Sequence, residues 1–204
     1  MNEQPKFNSL SKNRETILAT ASGGMAIALS TVLSLIKLYD MPQGGSITPA
    51  SLLPIFLCAL AFGPVWGIGI GAVYGLLQFI ISPFAAHWAS IILDYPLAFA
   101  LIGLAGLFAA KHSERTAERN VLRRIGLVPL WRVIVAIVIG ISGRFLSSFL
   151  SGMIFYGIYA PEGQSAAIYS LVYNASYILP DMVIIFIVLI PLAAVLRQRR
   201  PQTI

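Results

Sequence analysis

Charged side chains are scarce in this sequence. They make up 11% of its 204 residues, whereas hydrophobic residues make up 57%, and the mean hydropathy is +0.81. Soluble globular domains usually carry about 25% charged residues. The composition therefore excludes an ordinary soluble domain and indicates an integral membrane protein.

The chain also lacks the motifs of several enzyme classes. Cys58 is the single cysteine, so a disulfide framework is excluded, and no G-x-x-x-x-G-K-[ST] phosphate loop occurs. Residues 140–143 match the G-x-S-G of intramembrane rhomboid proteases, but no histidine follows His112 to activate the serine. The two histidines and Cys58 are too widely spaced to indicate a metal site. We expect no catalytic residue, metal or cofactor in this chain.

Long apolar runs predict the fold class. A membrane-spanning helix needs about 20 apolar residues, so a chain of this length holds roughly six. The runs predict helices at 16–38, 47–62, 65–82, 89–110, 132–156 and 166–196. The first run is too long for the core of a signal peptide, and Pro49, Pro54 and the Gly63-Pro64 pair predict a broken or tilted second or third helix. The prediction is an all-α integral membrane protein with six transmembrane helices.

Basic residues predict the orientation. They form three groups, which are Lys6, Lys12 and Arg14; Lys111, Arg115, Arg119, Arg123, Arg124 and Arg132; and Arg197, Arg199 and Arg200. With six spans these groups share one face, which the positive-inside rule makes cytoplasmic. We expect a cytoplasmic segment at 1–15, a transmembrane domain at 16–196 and a basic tail at 197–204, with both termini inside. Nucleic-acid binding is the competing explanation of the net charge of +6, but the three juxtamembrane groups favour contact with the lipid bilayer and no nucleic acid.

Three ionisable residues fall inside the predicted spans. Each costs about 2.5–3.5 kcal/mol at membrane depth, so Asp94, Arg144 and Asp181 each need a reason to be there. Arg144 and Asp181 lie at comparable depths and could form a structural ion pair or serve transport. Asp94 has no obvious partner near its depth and lies closer to the outer surface. It is the better candidate for holding a cationic ligand.

Tyrosines cluster around the predicted outer turn and the last helix. Tyr156 and Tyr159 fit an interfacial aromatic belt. A deeper face of the last helix carries three tyrosines spaced four apart with an amide beside them, namely Tyr169, Tyr173, Tyr177 and Asn174. Aromatic rings, an amide and a nearby carboxylate predict an outward-opening pocket for a flat cationic heteroaromatic molecule.

The same residues lie in a longer resemblance. The strings "MPQGGSITPASLLPIFL", "YGLLQF", "LDYPLAFALIGLAGLF", "RFLSSFLSGMIFYGIYAPEG" and "YSLVYNASY" resemble, in order, the thiamine-specific S component of energy-coupling factor (ECF) transporters. The resemblance implies a six-helix protein of the bacterial cytoplasmic membrane that binds thiamine from outside. It also implies partners, which are an ECF transmembrane subunit and two ECF ATPase subunits. The ATPase subunits, and not this chain, hydrolyse ATP.

The resemblance implies a binding role for eight residues, which are Tyr74, Asp94, Tyr95, Arg144, Ser148, Tyr156, Tyr169 and Asn174. Some family members carry glutamate at the position of Asp94, tryptophan at that of Tyr156 and histidine at that of Ser148. Thiamine is the expected substrate, and a pyrimidine or thiazole precursor is the alternative. An autonomous ion-coupled secondary transporter, driven through Arg144 and Asp181, is the other reading left open.

The first helix carries small residues four apart. Ser22, Ala26 and Ser30 form one row, and Gly24 and Ala28 form a neighbouring row. Packing inside the bundle explains such rows on its own. The resemblance instead implies that Ser22 and Ala26 dock on the ECF transmembrane subunit, and that the glycine-containing loop at 39–46 closes over the ligand.

Overall fold

The computed structural model describes residues 4–198, and side chains from residue 13 onward. Within this range the chain forms nine α-helices and one two-stranded sheet. The helices are α1 (Gln4–Leu35), α2 (Leu53–Phe62), α3 (Pro64–Ile81), α4 (Trp88–Ile92), α5 (Ala98–Ile102), α6 (His112–Ala117), α7 (Val121–Gly126), α8 (Leu130–Phe155) and α9 (Ala166–Gln198). Most of the predicted basic tail, and the side chains of Lys6 and Lys12, lie outside the described residues.

Five helical stretches of the described chain are long and apolar enough to span a membrane. They are Asn13–Leu35, Pro64–Ile81, Trp88–Phe108, Leu130–Phe155 and Ala166–Gln198. The prediction of an all-α membrane protein is therefore confirmed. The ten-residue α2 is only about 15 Å long at 1.5 Å per residue, so a full sixth span is not formed by this helix alone. α2 is instead buried among its neighbours, and Gly63 (φ +91°) separates it from α3.

The predicted helix at 47–62 is wrong over its first six residues. Strand β2 (Ser46–Ile47) pairs antiparallel with β1 (Tyr39–Asp40), with Tyr39 opposite Ile47. Pro49 has no backbone N–H to donate to a helix. Ala50 has a φ of +62°, a left-handed conformation that ends any right-handed helix. The helix consequently begins only at Leu53, after a hairpin that the apolar run had concealed.

The fourth span is not the continuous helix predicted at 89–110. Between α4 and α5 lies a π-helical segment, Leu93–Leu97, and a 3₁₀ segment, Gly103–Phe108, follows α5. Pro96 lies inside the π-helical segment and cannot donate a backbone hydrogen bond. The Ser147 hydroxyl of α8 donates to the Leu93 carbonyl at 2.6 Å. Short π-helical segments are frequent at functional sites, and this one carries Asp94 and Tyr95.

Glycines let α3 approach this irregular span backbone to backbone. Gly67, Gly71 and Gly75 recur every fourth residue on one face of α3. A Cβ added at Gly71 would collide with the Phe99 carbonyl, and one at Gly75 with the Tyr95 carbonyl. Such rows of small residues allow close helix packing in membranes. The contact fixes the π-helical segment against α3 and hence the position of its side chains.

The segment predicted as a basic loop after the fourth span contains α6 and α7. Arg124 of α7 is fully buried and donates two hydrogen bonds to Glu15 of α1, at 2.7 and 2.8 Å. Arg115 of α6 is also buried and lies 3.5 Å from the Ala61 carbonyl of α2. Burial lowers the pKa of Arg115. Arg115 and Arg124, which the sequence analysis used to predict the membrane orientation, therefore also join α6 and α7 to α2 and α1.

Candidate binding cavity

A cavity lies at the end of the bundle where α1 and α3 finish and α9 begins. Its walls are the hairpin, the π-helical segment and the facing sides of α8 and α9. Seven of the eight residues predicted to bind a ligand line it, which are Asp94, Tyr95, Arg144, Ser148, Tyr156, Tyr169 and Asn174. The fold thus brings together residues from three separate segments of the sequence, which are 94–95, 144–156 and 169–174. Their contact with a ligand remains a prediction.

Tyr74 is the predicted binding residue that the structure places outside the cavity lining. It is 1% exposed, and its ring packs edge-on against Phe99 with the centroids 4.9 Å apart. Phe99 lines the cavity. Tyr74 therefore supports the wall from behind.

Asp94 has a partner that the sequence did not reveal. The Ser151 hydroxyl of α8 donates to Asp94 Oδ2 at 2.7 Å. Ser151 lies one turn after Ser147, the residue that bonds Leu93, and both serines are buried. One face of α8 therefore fixes the π-helical segment and the Asp94 carboxylate together. The Asp94 side chain still lines the cavity.

Arg144 and Asp181 form the ion pair that was one of the two readings left open. Arg144 Nη1 lies 3.3 Å from Asp181 Oδ2, and the side chains are 9% and 5% exposed. The guanidinium also lies over the Phe99 ring, 4.9 Å from its centroid. The second oxygen, Asp181 Oδ1, accepts the Thr48 backbone N–H at 3.1 Å. The two side chains thus form an ion pair, and its cationic member also lines the cavity.

The Asn174 amide holds α9 against α8. Its Nδ2 donates to the Ser170 carbonyl at 2.9 Å and lies 3.3 Å from the Ser148 carbonyl. Its Oδ1 accepts the Tyr177 hydroxyl at 2.8 Å. Gly152 makes this approach feasible, because a Cβ there would collide with Ser170 Oγ. Asn174 therefore fixes the rotation of α9 and the orientation of the Tyr177 ring.

Aromatic rings line the cavity near the ends of α3 and α8 and near the start of α9. Tyr156 lies nearly parallel to Phe84, with centroids 5.9 Å apart and an interplanar angle of 19°. Burial raises the pKa of Tyr156 to about 12, so its hydroxyl stays neutral. Tyr95 secures the loop that carries Phe84, because its hydroxyl accepts the Phe84 N–H at 2.9 Å and lies 3.0 Å from the Ser82 carbonyl. On α9, the Tyr169 and Tyr173 rings are 5.7 Å apart.

Several lining residues were not assigned by sequence reasoning. They include Ser34, Gln43, Gln78, Phe84 and Phe99. Gln78 gave a usable signal, because an amide in an apolar span needs a hydrogen-bond partner. It donates to Ser34 Oγ at 2.9 Å. Phe84 and Phe99 gave none, since phenylalanine is ordinary both in membrane spans and in the loops beside them.

The two residues predicted to dock a partner lie towards the bundle interior. Ala26 is 6% exposed and belongs to the packed core. Ser22 is half-buried, and its carbonyl lies 3.7 Å from Cys58 Sγ. The neighbouring row is the exposed one, since Gly24 and Ala28 lie on the outer surface of α1. Docking through Ser22 and Ala26 remains a prediction.

A set of membrane-spanning helices around a cavity with a carboxyl group, an arginine and facing rings is typical of a membrane protein that binds a small ligand. Residues 20–200 match the family described as Thiamine transporter protein (Thia_YuaJ). The chain belongs to this family, which confirms the resemblance seen in the sequence and makes it a transport protein, not an enzyme. It is a multi-pass protein of the cell membrane.

Individual relatives agree with the family assignment. The chain is 36% identical over 165 residues to the thiamine transporter ThiT of Bacillus subtilis (strain 168), covering 79% of this chain and 83% of that protein. It is 30% identical over 141 residues to ThiT of Lacticaseibacillus paracasei, covering 67% and 68%. A solved structure of ThiT from Listeria monocytogenes superposes with a TM-score of 0.73 at 24% identity, covering 88% of this chain and 95% of that one. This last likeness shows the shared fold.

Proposed function

We propose that this protein binds thiamine at the described cavity and is the substrate-binding subunit of an ECF-type importer. The observation that carries the proposal is the convergence of a carboxylate, a ring pair and an amide on one cavity, in a member of the thiamine transporter family. Thiamine combines a cationic thiazolium with an aminopyrimidine ring. Both chemical features have partners of suitable type among the lining residues.

The charge arrangement favours a monocation. Arg144 is neutralised by Asp181 at 3.3 Å, whereas Asp94 accepts a hydrogen bond from the neutral Ser151 hydroxyl and has no ion-pair partner among the described residues. We place the thiazolium beside Asp94 and the flat rings against Tyr156 and Tyr169. A cation over an aromatic face contributes about 0.5–2 kcal/mol.

The orientation follows from the position of the basic residues. Arg115 and Arg124 lie at the end of the bundle where α1 begins, and the cavity lies at the end where α1 finishes. With the basic end inside, the cavity opens to the outside. We count α2 with its preceding turn as the sixth, incomplete span, which puts both termini in the cytoplasm.

Transport requires partners in this proposal. The sequence has no phosphate loop, and in this proposal the chain needs no cofactor of its own. ATP would be hydrolysed by two ECF ATPase subunits, coupled through an ECF transmembrane subunit. Docking uses the small-residue region of α1, where Gly24 has open space around its Cα and lies on the exposed surface. Ser22 and Ala26 shape this region from the buried side.

Calorimetric titration of the purified protein tests the binding step. Thiamine, its phosphates and its separate pyrimidine and thiazole halves are titrated in turn. We expect nanomolar affinity for thiamine, equivalent to about 12 kcal/mol. Binding of one half with no heat from thiamine would transfer the proposal to a precursor, and silence with all ligands would refute it.

Uptake in cells tests the coupling step. We expect radiolabelled thiamine to accumulate when this chain is expressed with an ECF module, and not when the module is deleted. Accumulation without the module, abolished by an ionophore, would instead identify an autonomous ion-coupled carrier.

A further inference from the structure

The hairpin that covers the cavity is too short to hold itself in place. Its strands have two residues each, Tyr39–Asp40 and Ser46–Ile47, and several residues from 40 to 46 line the cavity. An isolated two-stranded hairpin is marginally stable at best in water. Its position over the cavity therefore depends on contacts with the rest of the protein.

The turn of the hairpin is held by one side chain of α9. The Gln43 N–H donates to the Tyr173 hydroxyl at 2.8 Å, and the same hydroxyl donates to the Gly44 carbonyl at 2.8 Å. Within residues 4–198, these are the hydrogen bonds that join residues 41–45 to the rest of the chain. The hydroxyl uses its single proton on Gly44, so it has none to donate to a ligand.

The same face of α9 follows the hairpin down to its base. Tyr177, one turn after Tyr173, packs under Gly45, since a Cβ there would lie 2.8 Å from the ring carbon Cζ. Asp181, one further turn along, accepts the Thr48 N–H at 3.1 Å. The base is thus hydrogen-bonded to a buried carboxylate that is itself paired with Arg144, whereas the hydrogen bonds of the turn go to one neutral hydroxyl.

This difference makes the turn the weaker attachment. We propose that Tyr173 is a positioning residue whose hydroxyl latches the hairpin turn over the cavity and thereby sets the rate at which bound ligand leaves. The hairpin opens by release of the turn from Tyr173, while its base stays attached to Asp181. The inference deepens the proposed function and rests on it for the identity of the ligand.

The kinetic test compares two tyrosine-to-phenylalanine variants. Tyr173→Phe keeps the ring and removes both hydrogen bonds. Tyr39→Phe is the matched control, because Tyr39 belongs to the same hairpin, is 60% exposed and lies off the cavity lining. Bound radiolabelled thiamine is chased with excess unlabelled thiamine, and association is measured separately. We expect Tyr173→Phe to raise the dissociation rate about tenfold, since two hydrogen bonds are lost, without slowing association, and Tyr39→Phe to match the wild type.

Hydrogen exchange of the ligand-free protein separates a latch from a ligand contact. We expect the amides of residues 38–47 to exchange faster in Tyr173→Phe than in the wild type or in Tyr39→Phe. Faster dissociation with unchanged exchange would mean that the hydroxyl contacts the ligand, and an unchanged dissociation rate would equally overturn the inference. If the wild type binds no thiamine, the proposed function fails, and the exchange comparison still decides whether Tyr173 holds the hairpin.

Discussion

Replacing Asp94 by asparagine removes a charge from the cavity with almost no change in shape. The amide oxygen can still accept the Ser151 hydroxyl, which now lies 2.7 Å from Oδ2, so the π-helical segment keeps this contact. A monocation about 4 Å from the carboxylate would interact by about 4 kcal/mol at an effective dielectric constant of 20. Desolvation of both ions offsets part of this energy. We expect a net loss of about 2 kcal/mol, or roughly thirtyfold in affinity.

The assay for this prediction uses two ligands and a control variant. Thiamine and a neutral isostere, in which a thiophene replaces the thiazolium, are titrated into the wild type, Asp94→Asn and Glu162→Gln. Glu162 is an exposed carboxylate in the turn between α8 and α9 and does not line the cavity. The loss should appear for thiamine with Asp94→Asn and vanish for the neutral isostere. An equal loss for both ligands would mean that Asp94 acts through the fold, and no loss for either would remove it from the site.

Three further predictions concern the groups that build the cavity and the bundle. Ser151→Ala should weaken thiamine binding about tenfold, because a hydrogen bond to a charged group is lost, whereas Ser176→Ala, whose hydroxyl bonds its own helix at 2.7 Å, should leave calorimetric affinity unchanged. Gly71→Ala should sharply lower the melting temperature in detergent, because the new Cβ collides with a backbone carbonyl. Gly69→Ala should not lower it, because that position has open space around it. Equal melting temperatures for the two variants would contradict the packing argument. Glu15→Gln should destabilise the protein by about 2–3 kcal/mol in denaturant titrations, since it leaves a buried arginine without its counter-ion; an unchanged midpoint would refute this.

Apolar run length predicted the long helices because the bilayer imposes it. Every segment that crosses about 30 Å of hydrocarbon must form its backbone hydrogen bonds internally and carry mostly apolar side chains. Both requirements are visible as long apolar runs in the sequence. α8 and α9 accordingly begin and end within a few residues of their predicted limits. The hairpin at 39–47 escaped prediction because its short strands are set by contacts with α9, more than 120 residues away in sequence. The hydrophobic pattern of neighbouring residues cannot predict contacts over such a sequence distance.

The π-helical segment shows the same division. Pro96 predicts an irregularity in the helix, since proline has no backbone N–H to donate. The sequence does not say whether the result is a kink, a bulge or a helix end, because that depends on what satisfies the freed groups. In the structure, the Ser147 hydroxyl from a different span donates to the Leu93 carbonyl of this segment. The consequence for the site is direct, because the rotation of Asp94 towards the cavity is decided by this segment.

Polar residues at membrane depth were the most informative feature of the sequence, but only as single residues. Each must find a partner, so their presence predicts a polar network, whereas the pairing depends on how each helix is rotated about its axis. Asp94 accepts a hydrogen bond from Ser151, and Asn174 accepts one from Tyr177. Serines on α8 at 147, 148 and 151 cover one face and its flank, and in a span otherwise rich in isoleucine and leucine they already mark the side of the helix that needs polar partners. Such a serine row indicates candidate partners for an intramembrane carboxylate such as Asp94, because hydroxyl donors one turn apart can hold a backbone carbonyl and its neighbouring carboxylate at the same time.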